Sequence, residues 1–196
     1  MKDTIQILKD IWKDRLLLFS LSTKDFQRKY SGTFFGIFWA IAQPLLTIIV
    51  YWVAFQYGFK SPDVDAIPYA VWFICGIVPW LYVTESFSSA SNCFIEYNYL
   101  IKKVKFNVVI LPLVKILSAF YIHIFFCLIA VGVAVGLKVW PTVYIIQLLY
   151  YMVANIILLF ALSLITSSIV VFFRDLNQII ICYFVNWNVG ELLFAW

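Results

Sequence analysis

The chain has 196 residues, of which 64% are hydrophobic and only 12% are charged, and its formal net charge is +4. Soluble domains carry about 25% charged residues, because charged side chains cover the surface that meets water. Half that share excludes an ordinary soluble domain and predicts an integral membrane protein.

Five long apolar stretches follow one another along the chain. A helix needs about 20 apolar residues to cross a bilayer core of about 30 Å, and unbroken apolarity favours helices over barrel strands, which alternate apolar and polar residues. The predicted fold class is therefore all-α, a polytopic helical bundle in a membrane. The stretches run from about Thr33 to Phe59, Pro68 to Thr84 with a helical extension, Val108 to Leu137, Thr142 to Phe173, and Gln178 to the chain end.

Residues 1–32 differ from the rest and are predicted to form a separate segment before the transmembrane domain at 33–196. Apolar side chains recur there at steps of three and four residues, which predicts an amphipathic helix over residues 3–21. Such a helix lies in the membrane interface, or alternatively packs on a partner protein. The apolar face consists of Ile5, Leu8, Trp12, Leu16 and Phe19.

The basic residues are distributed unevenly between the two sides of the membrane. Eleven lysines and arginines fall before the first stretch, between the second and third, or between the fourth and fifth, against two on the opposite side. Lysine and arginine concentrate in cytoplasmic loops. The N-terminus and the connections at 85–107 and 174–178 are therefore predicted to be cytoplasmic.

Few side chains suit catalysis. His123 is the only histidine, and it is more typical of a hydrogen bond to a neighbouring helix than of a proton relay. Lys115 lies eight residues earlier, about 12 Å along a helix, so the two side chains do not pair. We expect Lys115 to extend towards the lipid headgroups. The sequence predicts no catalytic residue, no cofactor and no metal site.

Small residues mark the first stretch at every fourth position. Gly32, Gly36, Ala40 and Pro44 would form one stripe on a helix, and such stripes let helices approach closely in lipid. Pro44, and Pro79 in the second stretch, remove a backbone hydrogen bond and are expected to permit kinks.

Aromatic residues make up 20% of the chain. Most are explained by the aromatic belts that membrane proteins place at the two interfaces. Pyranose rings also present apolar faces to aromatic rings, so some of these side chains are candidates to line a route for sugars. The candidate pathway aromatics are Tyr30, Trp39, Tyr69 and Trp80.

Four separated segments, taken in order, resemble the permease subunits of ABC-2-type transporters, specifically the branch that exports O-antigen, capsular polysaccharide or teichoic acid. The resemblance covers roughly residues 10–180. The segments are DFQRKYSGTFFGIFWAIAQPLLTIIVYWVAF (25–55), IPYAVWFICGIVPW (67–80), NYLIKKVKFNVVILPLVKILSAF (98–120) and VVFFRDLNQI (170–179).

The resemblance implies a multi-pass protein of the bacterial cytoplasmic (inner) membrane that works in lipopolysaccharide or capsule biosynthesis. Two permease chains would form the pathway for a lipid-linked polysaccharide, and separate ABC ATPase subunits would hydrolyse ATP, so the chain itself is expected to be no enzyme. The residues implied in ATPase coupling are Lys102, Lys103, Phe106, Arg174 and Asp175. The family has six spans, so the resemblance also implies that the sixth is missing here.

Three alternatives remain open at this point. The first is an ABC-2 exporter of drugs or other lipids. The second is a membrane-embedded acyltransferase or glycosyltransferase, for which His123, Glu85 and Glu96 are the available residues. The third is a non-functional fragment.

Overall fold

The computed structural model describes residues 13–31, 35–58, 67–103, 108–140 and 143–183. Helices dominate these ranges, as the unbroken apolar stretches predict. The helices are α1 (Arg15–Tyr30), α2 (Phe38–Val53, continued by a π-helical turn, Ala54–Gly58), α3 (Tyr69–Ser91), α4 (Cys93–Glu96), α5 (Asn98–Lys103), α6 (Ile110–Gly136), α7 (Ile146–Phe172, after a 3-10 turn, Val143–Ile145) and α8 (175–183).

Four helices in the described ranges are long and apolar enough to cross a membrane, at Phe38–Gly58, Tyr69–Ser91, Ile110–Gly136 and Ile146–Phe172. They coincide with the first four predicted stretches, and α3 includes the predicted helical extension. The prediction of an all-α polytopic membrane protein is confirmed. The fifth stretch begins within α8, and its remainder from 184 onwards lies outside the described residues.

Helix α3 lies at the centre of the bundle and packs along both α6 and α7. Tyr69 and Phe73, near the start of α3, contact Phe126 and Cys127 in the second half of α6, so α3 and α6 run antiparallel. Near the other end of α3, Phe87 and Ala90 pack with residues of α6 and α7. These apolar layers hold the three helices together.

Small side chains line the contact between α3 and α7. Ala90, Ser91, Ser163 and Ser167 are all buried, and the hydroxyl oxygens of Ser91 and Thr166 lie 2.9 Å apart. Small residues let helix backbones approach closely in lipid. The C-terminal ends of α3 and α7 are therefore at the same end of the bundle.

Helix α1 extends nine residues beyond the predicted end of the amphipathic helix and packs on α6. Leu18, Ser22 and Asp25 follow one another at four- and three-residue steps and are buried, and Leu18 contacts Ile110 and Val114 of α6. The predicted apolar face lies elsewhere on the helix, because its members Leu16 and Phe19 are 79% and 56% exposed. That face remains uncovered within the described chain, and the part of the predicted helix before residue 13 lies outside it.

The predicted stripe of small residues on the first span is wrong at Gly36. This residue lies in a turn before α2 and has a φ of +51°, a left-handed conformation that glycine adopts without the clash a Cβ atom would cause. Because the helix begins at Phe38, Gly36 does not continue the face of Ala40 and Pro44. Gly32 lies outside the described residues.

Candidate functional site

Two adjoining cavities lie between α1, α2, α3 and α6. The first, which we call the charged cavity, has a volume of about 160 Å³. The second, which we call the aromatic cavity, has a volume of about 150 Å³. The residues that line both are Lys29, Tyr30, Glu85, Ala119 and Ile122.

The aromatic cavity combines ring faces with a few polar groups. Its rings include Trp39 of α2, Tyr82 of α3 and Phe126 of α6. Gln43 and Thr47, one turn apart on α2, also line the cavity and give it amide and hydroxyl groups. Aromatic faces with scattered hydrogen-bonding groups suit a ligand that has both apolar and polar surface.

Lys29 and Glu85 form an ion pair between α1 and α3, and Ser89 donates a 3.1 Å hydrogen bond to the same carboxylate. Burial lowers the pKa of the Lys29 ammonium, but the charge of Glu85 and its hydrogen bond more than offset this, so the net pKa lies above the ordinary value. The side chains are 43% and 45% exposed, so solvent weakens the attraction.

A second group of charges lies deeper, at one end of the charged cavity. Lys115 of α6 donates hydrogen bonds of 2.8 Å to Oδ1 of Asp25 and 2.5 Å to Oε2 of Glu96. Tyr97 donates a 2.5 Å hydrogen bond to the same Asp25 oxygen, and the Lys115 ammonium lies 5.1 Å from the centre of the Tyr97 ring. We call Asp25, Glu96, Tyr97 and Lys115 the lysine cluster.

The prediction that Lys115 extends to the lipid headgroups is wrong. Its side chain is 9% exposed and turns into the bundle, towards Asp25, which is 5% exposed. A charge inside a membrane bundle is stabilised by pairing with opposite charges. Two carboxylates and a ring face together outweigh the gain of reaching the headgroups.

Tyr97 acts as a hydrogen-bond donor in this cluster over a wide pH range. Burial raises the pKa of its phenol, and the hydrogen bond to Asp25 and that carboxylate's charge raise it further, well above the ordinary value. The guanidinium of Arg28 lies 5.5 Å from the centre of the same ring, on the side of α1. Tyr97 is thus held both by its hydroxyl and by its ring.

His123 lines the aromatic cavity and stacks on Tyr82, with ring centres 4.4 Å apart. A ring nitrogen of His123 also lies 3.5 Å from the sulfur of Cys127. Glu85 and Glu96 are engaged by Lys29 and Lys115 respectively. In the described ranges, no three histidine, cysteine, aspartate or glutamate residues are grouped as a metal site.

The four candidate pathway aromatics fall in two places. Tyr30 and Trp39 line the aromatic cavity, and Tyr30 also lines the charged cavity. Tyr69 is buried at the other end of α3, stacked on Phe73. Trp80 is partly buried on α3 and is not among the residues lining either cavity.

The two prolines predicted to permit kinks both lie inside helices. Pro44 belongs to α2 and lines the aromatic cavity. Pro79 lies within α3 and is partly buried. Pro44 thus places a missing backbone hydrogen bond beside the cavity.

The residues implied in ATPase coupling lie at the ends of helices. Lys102 and Lys103 close α5, although their side chains lie outside the described part, as does the whole of Phe106. Arg174 is exposed in the turn that links α7 to α8, and Asp175 is exposed at the first residue of α8. Because α3 and α7 end side by side, this turn and α5 lie at the same end of the bundle.

Sequence reasoning found the charged residues of the lysine cluster only in part. Lys115 was recognised as an intramembrane charge, and Asp25 opens one of the segments that carry the family resemblance. Their pairing was missed, since Asp25 and Lys115 are 90 residues apart along the chain. The pairing could have been sought from the sequence, because a lysine inside the membrane is expected to have a carboxylate partner.

Comparison with curated proteins finds relatives along most of the chain. An O-antigen export system permease protein RfbA from Myxococcus xanthus is 26% identical over 179 residues, which cover 90% of this chain and 66% of that protein. Two proteins of the same description from Klebsiella pneumoniae are 28% and 29% identical, each over 84% of this chain and 62% of its own length. No family model matches the chain.

The chain therefore spans slightly less than two thirds of the length of these relatives. The matched region includes most of the described helices, and all three relatives carry the same description. The comparisons confirm that this chain is similar to permeases of the polysaccharide-export branch of ABC-2-type transporters.

Proposed function

We propose that the chain is the permease subunit of an ABC exporter that moves a lipid-linked polysaccharide out across the bacterial cytoplasmic membrane. An ATPase on a separate chain would supply the energy. The observation that carries this proposal is the similarity to three O-antigen export permeases over 84–90% of the chain. The four membrane-spanning helices and the cavities between them support it.

The proposed orientation places the N-terminus, the segment between α3 and α6, and residues 174–178, which form the turn after α7 and the start of α8, in the cytoplasm. Eleven of the 14 basic residues then lie on the cytoplasmic side, as the positive-inside rule expects. The side-by-side ends of α3 and α7 support this arrangement, because they bring α5 and Arg174 to one end of the bundle. The charged cavity would accordingly open near the cytoplasmic face.

We assign the two cavities to the route of the polysaccharide or of its carrier. Trp39 and Tyr30 provide ring faces against which the apolar side of a sugar packs. Gln43 and Thr47 provide groups for hydrogen bonds to sugar hydroxyls. A chain of sugars moving past such a surface exchanges weak contacts, which is what a transport path requires.

In this assembly two permease chains would associate, and each would bind one ATPase subunit at its cytoplasmic end. Lys102 and Lys103 close α5, Phe106 follows three residues later in the sequence, and Arg174 and Asp175 lie at the same end of the bundle as α5. A cytoplasmic segment joined to a membrane helix passes on a rigid-body movement. The lysines also suit contact with anionic lipid headgroups, and both roles are compatible.

Reconstitution tests the proposal. The permease and the ATPase subunit encoded with it would be placed in liposomes with a lipid-linked polysaccharide. We expect the two proteins to co-purify and the glycan to cross the membrane only with ATP. Recovery of the permease without an ATP-binding subunit, from cells that hold the whole operon, would contradict the assignment.

Two tryptophans of nearly equal exposure provide a matched comparison within the same assay. Trp39 is 44% exposed and lines the aromatic cavity from α2. Trp72 is 45% exposed near the start of α3 and is not among the residues that line this cavity. Trp39→Ala should lower the export rate several-fold, and Trp72→Ala should leave it near the parent value. Equal effects would argue against the aromatic cavity as the route.

The cargo separates this proposal from its nearest alternative, an ABC-2 exporter of drugs or other lipids. Transport of hydrophobic dyes or phospholipids, with no ATP-dependent movement of the glycan, would favour that alternative. An enzymatic role for His123 with Glu85 and Glu96 is less well supported, because both carboxylates are engaged by lysines and His123 by Tyr82.

A further inference from the structure

The segment between α3 and α6, residues 92–109, contains α4 and α5 and is here called the connector. Its described part meets the bundle at the junction of α4 and α5. Glu96 ends α4 and Tyr97 follows it. Within the lysine cluster, Glu96 accepts a hydrogen bond from Lys115 of α6, and Tyr97 donates one to Asp25 of α1. The junction is thus tied to two other helices by its polar groups.

Apolar packing surrounds these polar contacts. Cys93, Tyr97 and Leu111 form a buried cluster in which the connector rests on the first turn of α6. Lys115 follows Leu111 one turn later, so the ion pairs are placed directly beside the apolar contact. The connector is therefore fixed both by shape and by charge where α6 begins.

Burial distinguishes the lysine cluster from an ion pair in water. Ion pairs in water exchange readily with solvent, but Lys115 and Asp25 are only 9% and 5% exposed. Separating them would leave a buried charge without a partner, which is strongly unfavourable. Oδ1 of Asp25 also accepts hydrogen bonds from both Lys115 and Tyr97, so the connector and α6 meet at a single atom of α1.

The lysine cluster also forms part of the charged cavity. Asp25, Glu96 and Lys115 all line it. A displacement of Glu96 or Tyr97 therefore acts on two walls of that cavity, α1 and α6, through bonds shorter than 3 Å. The pair of Lys29 and Glu85 differs, because it joins α1 to α3, is half exposed and does not involve the connector.

We propose that Lys115 is a positioning residue that locks the connector to α1 and α6, so that a push on the connector moves both walls of the charged cavity together. The mechanical use of this lock rests on the proposed transport function. The lock itself is a property of the fold and is testable without transport.

The lock is tested by a distance measurement in lipid nanodiscs. Spin labels at Gln27 on α1 and Tyr99 on α5, both exposed, would report the separation of the two elements after the native cysteines are replaced. We expect one narrow distance distribution in the parent. The neutral triple variant Asp25→Asn, Glu96→Gln, Lys115→Met should at least double its width.

The control is the double variant Lys29→Met, Glu85→Gln, which removes the exposed pair and leaves the lysine cluster intact. Its distribution should stay as narrow as that of the parent. Tyr97→Phe removes one hydrogen bond with little change in shape and should give an intermediate width. A triple variant that retains helicity and a narrow distribution would overturn the lock.

The mechanical use of the lock is tested in liposomes with the ATPase subunit. The triple variant should still bind that subunit and hydrolyse ATP, but the amount of glycan moved per ATP should fall at least several-fold. Lys115→Arg, with Asp25 and Glu96 unchanged, should restore most of this ratio. An unchanged ratio in the triple variant would overturn the transmission, whereas absence of ATP-driven export in the parent would instead contradict the proposed function.

Discussion

Lys29 and Glu85 pair across the boundary between the two cavities, so that each side chain lines both. The pair therefore belongs to both cavities, as do Tyr30, Ala119 and Ile122. Because both are nearly half exposed, the pair is able to open at small cost.

The first prediction concerns the free energy that the ion pair of Lys29 and Glu85 contributes to stability. Lys29→Met and Glu85→Gln should each lower the free energy of unfolding by less than about 1 kcal/mol, the range for exposed ion pairs. Unfolding by SDS in mixed micelles measures this. A loss of several kcal/mol would mean that the pair is more deeply enclosed than its exposure indicates.

Lys115 should behave differently in the same measurement. Lys115→Met leaves Asp25 and Glu96 without their counter-charge, and loss of one partner of a buried pair costs about 3–5 kcal/mol. We expect the triple neutral variant to be more stable than this single variant, because no uncompensated charge remains. If Lys115→Met were as stable as Lys29→Met, the ion pairs of Lys115 would not behave as buried ones.

The contact of α3 with α7 provides a test of packing. Ala90 is fully buried there, and Ala90→Leu should destabilise the bundle by about 1–3 kcal/mol through overpacking. Gly132 on α6 has open space where a Cβ atom would lie. Gly132→Ala should therefore be neutral or stabilising by up to about 1 kcal/mol. The reverse order of the two effects in SDS unfolding would contradict the packing described for α3 and α7.

Cys93 should resist alkylation in the folded protein. Its side chain is fully buried, and burial raises the pKa of the thiol from 9.0 to about 12, which lowers the thiolate fraction at pH 8 roughly a thousandfold. Mass spectrometry after treatment with a maleimide should find Cys93 modified only once SDS has unfolded the chain. Cys182, which is exposed, serves as the internal reference. Rapid modification of Cys93 in the native protein would show that the connector opens readily.

Because of Tyr97, the stability of the protein should depend on pH in the alkaline range. Its pKa is raised in the folded state, so its contribution is present in full below the unfolded value of about 10 and is lost as the pH rises towards the folded value. Stability of the parent should therefore fall more steeply above pH 10 than that of Tyr97→Phe. Parallel unfolding curves for the two proteins between pH 9 and 11 would show that the phenol does not titrate with folding.

The sequence alone predicted the spans well, because an apolar run of about 20 residues is dictated by the thickness of the bilayer. The residue at which α2 begins was harder to predict from the sequence. The residues from Phe34 to Ile37 are mostly apolar and were assigned to the helix, yet Gly36 adopts a left-handed turn there. Hydropathy does not register such a turn, because it depends on backbone conformation.

The site was predicted less completely for a different reason. The snorkelling of Lys115 was inferred from its distance to the membrane face, which sequence supplies. Its actual partners are 90 and 19 residues away along the chain and meet it only through the packing of α1 and the connector on α6. Likewise, Tyr30 and Trp39 line a cavity, whereas Tyr69 is buried in the core. The aromatic character of a residue does not show which of the two places it occupies.

Helix α2 is attached more loosely than its neighbours. Within α2 and its π-helical turn only Ala40, Ile48 and Phe55 are buried; Ile41, Tyr51 and Trp52 are partly buried against the core, and most of the other large apolar side chains are exposed. Lipid tails are as apolar as these side chains, so no hydrophobic penalty opposes the separation of α2 from α3 within a bilayer. Of the helices that line the aromatic cavity, α2 should therefore move away most easily. Lipid tails would then occupy the space between α2 and α3.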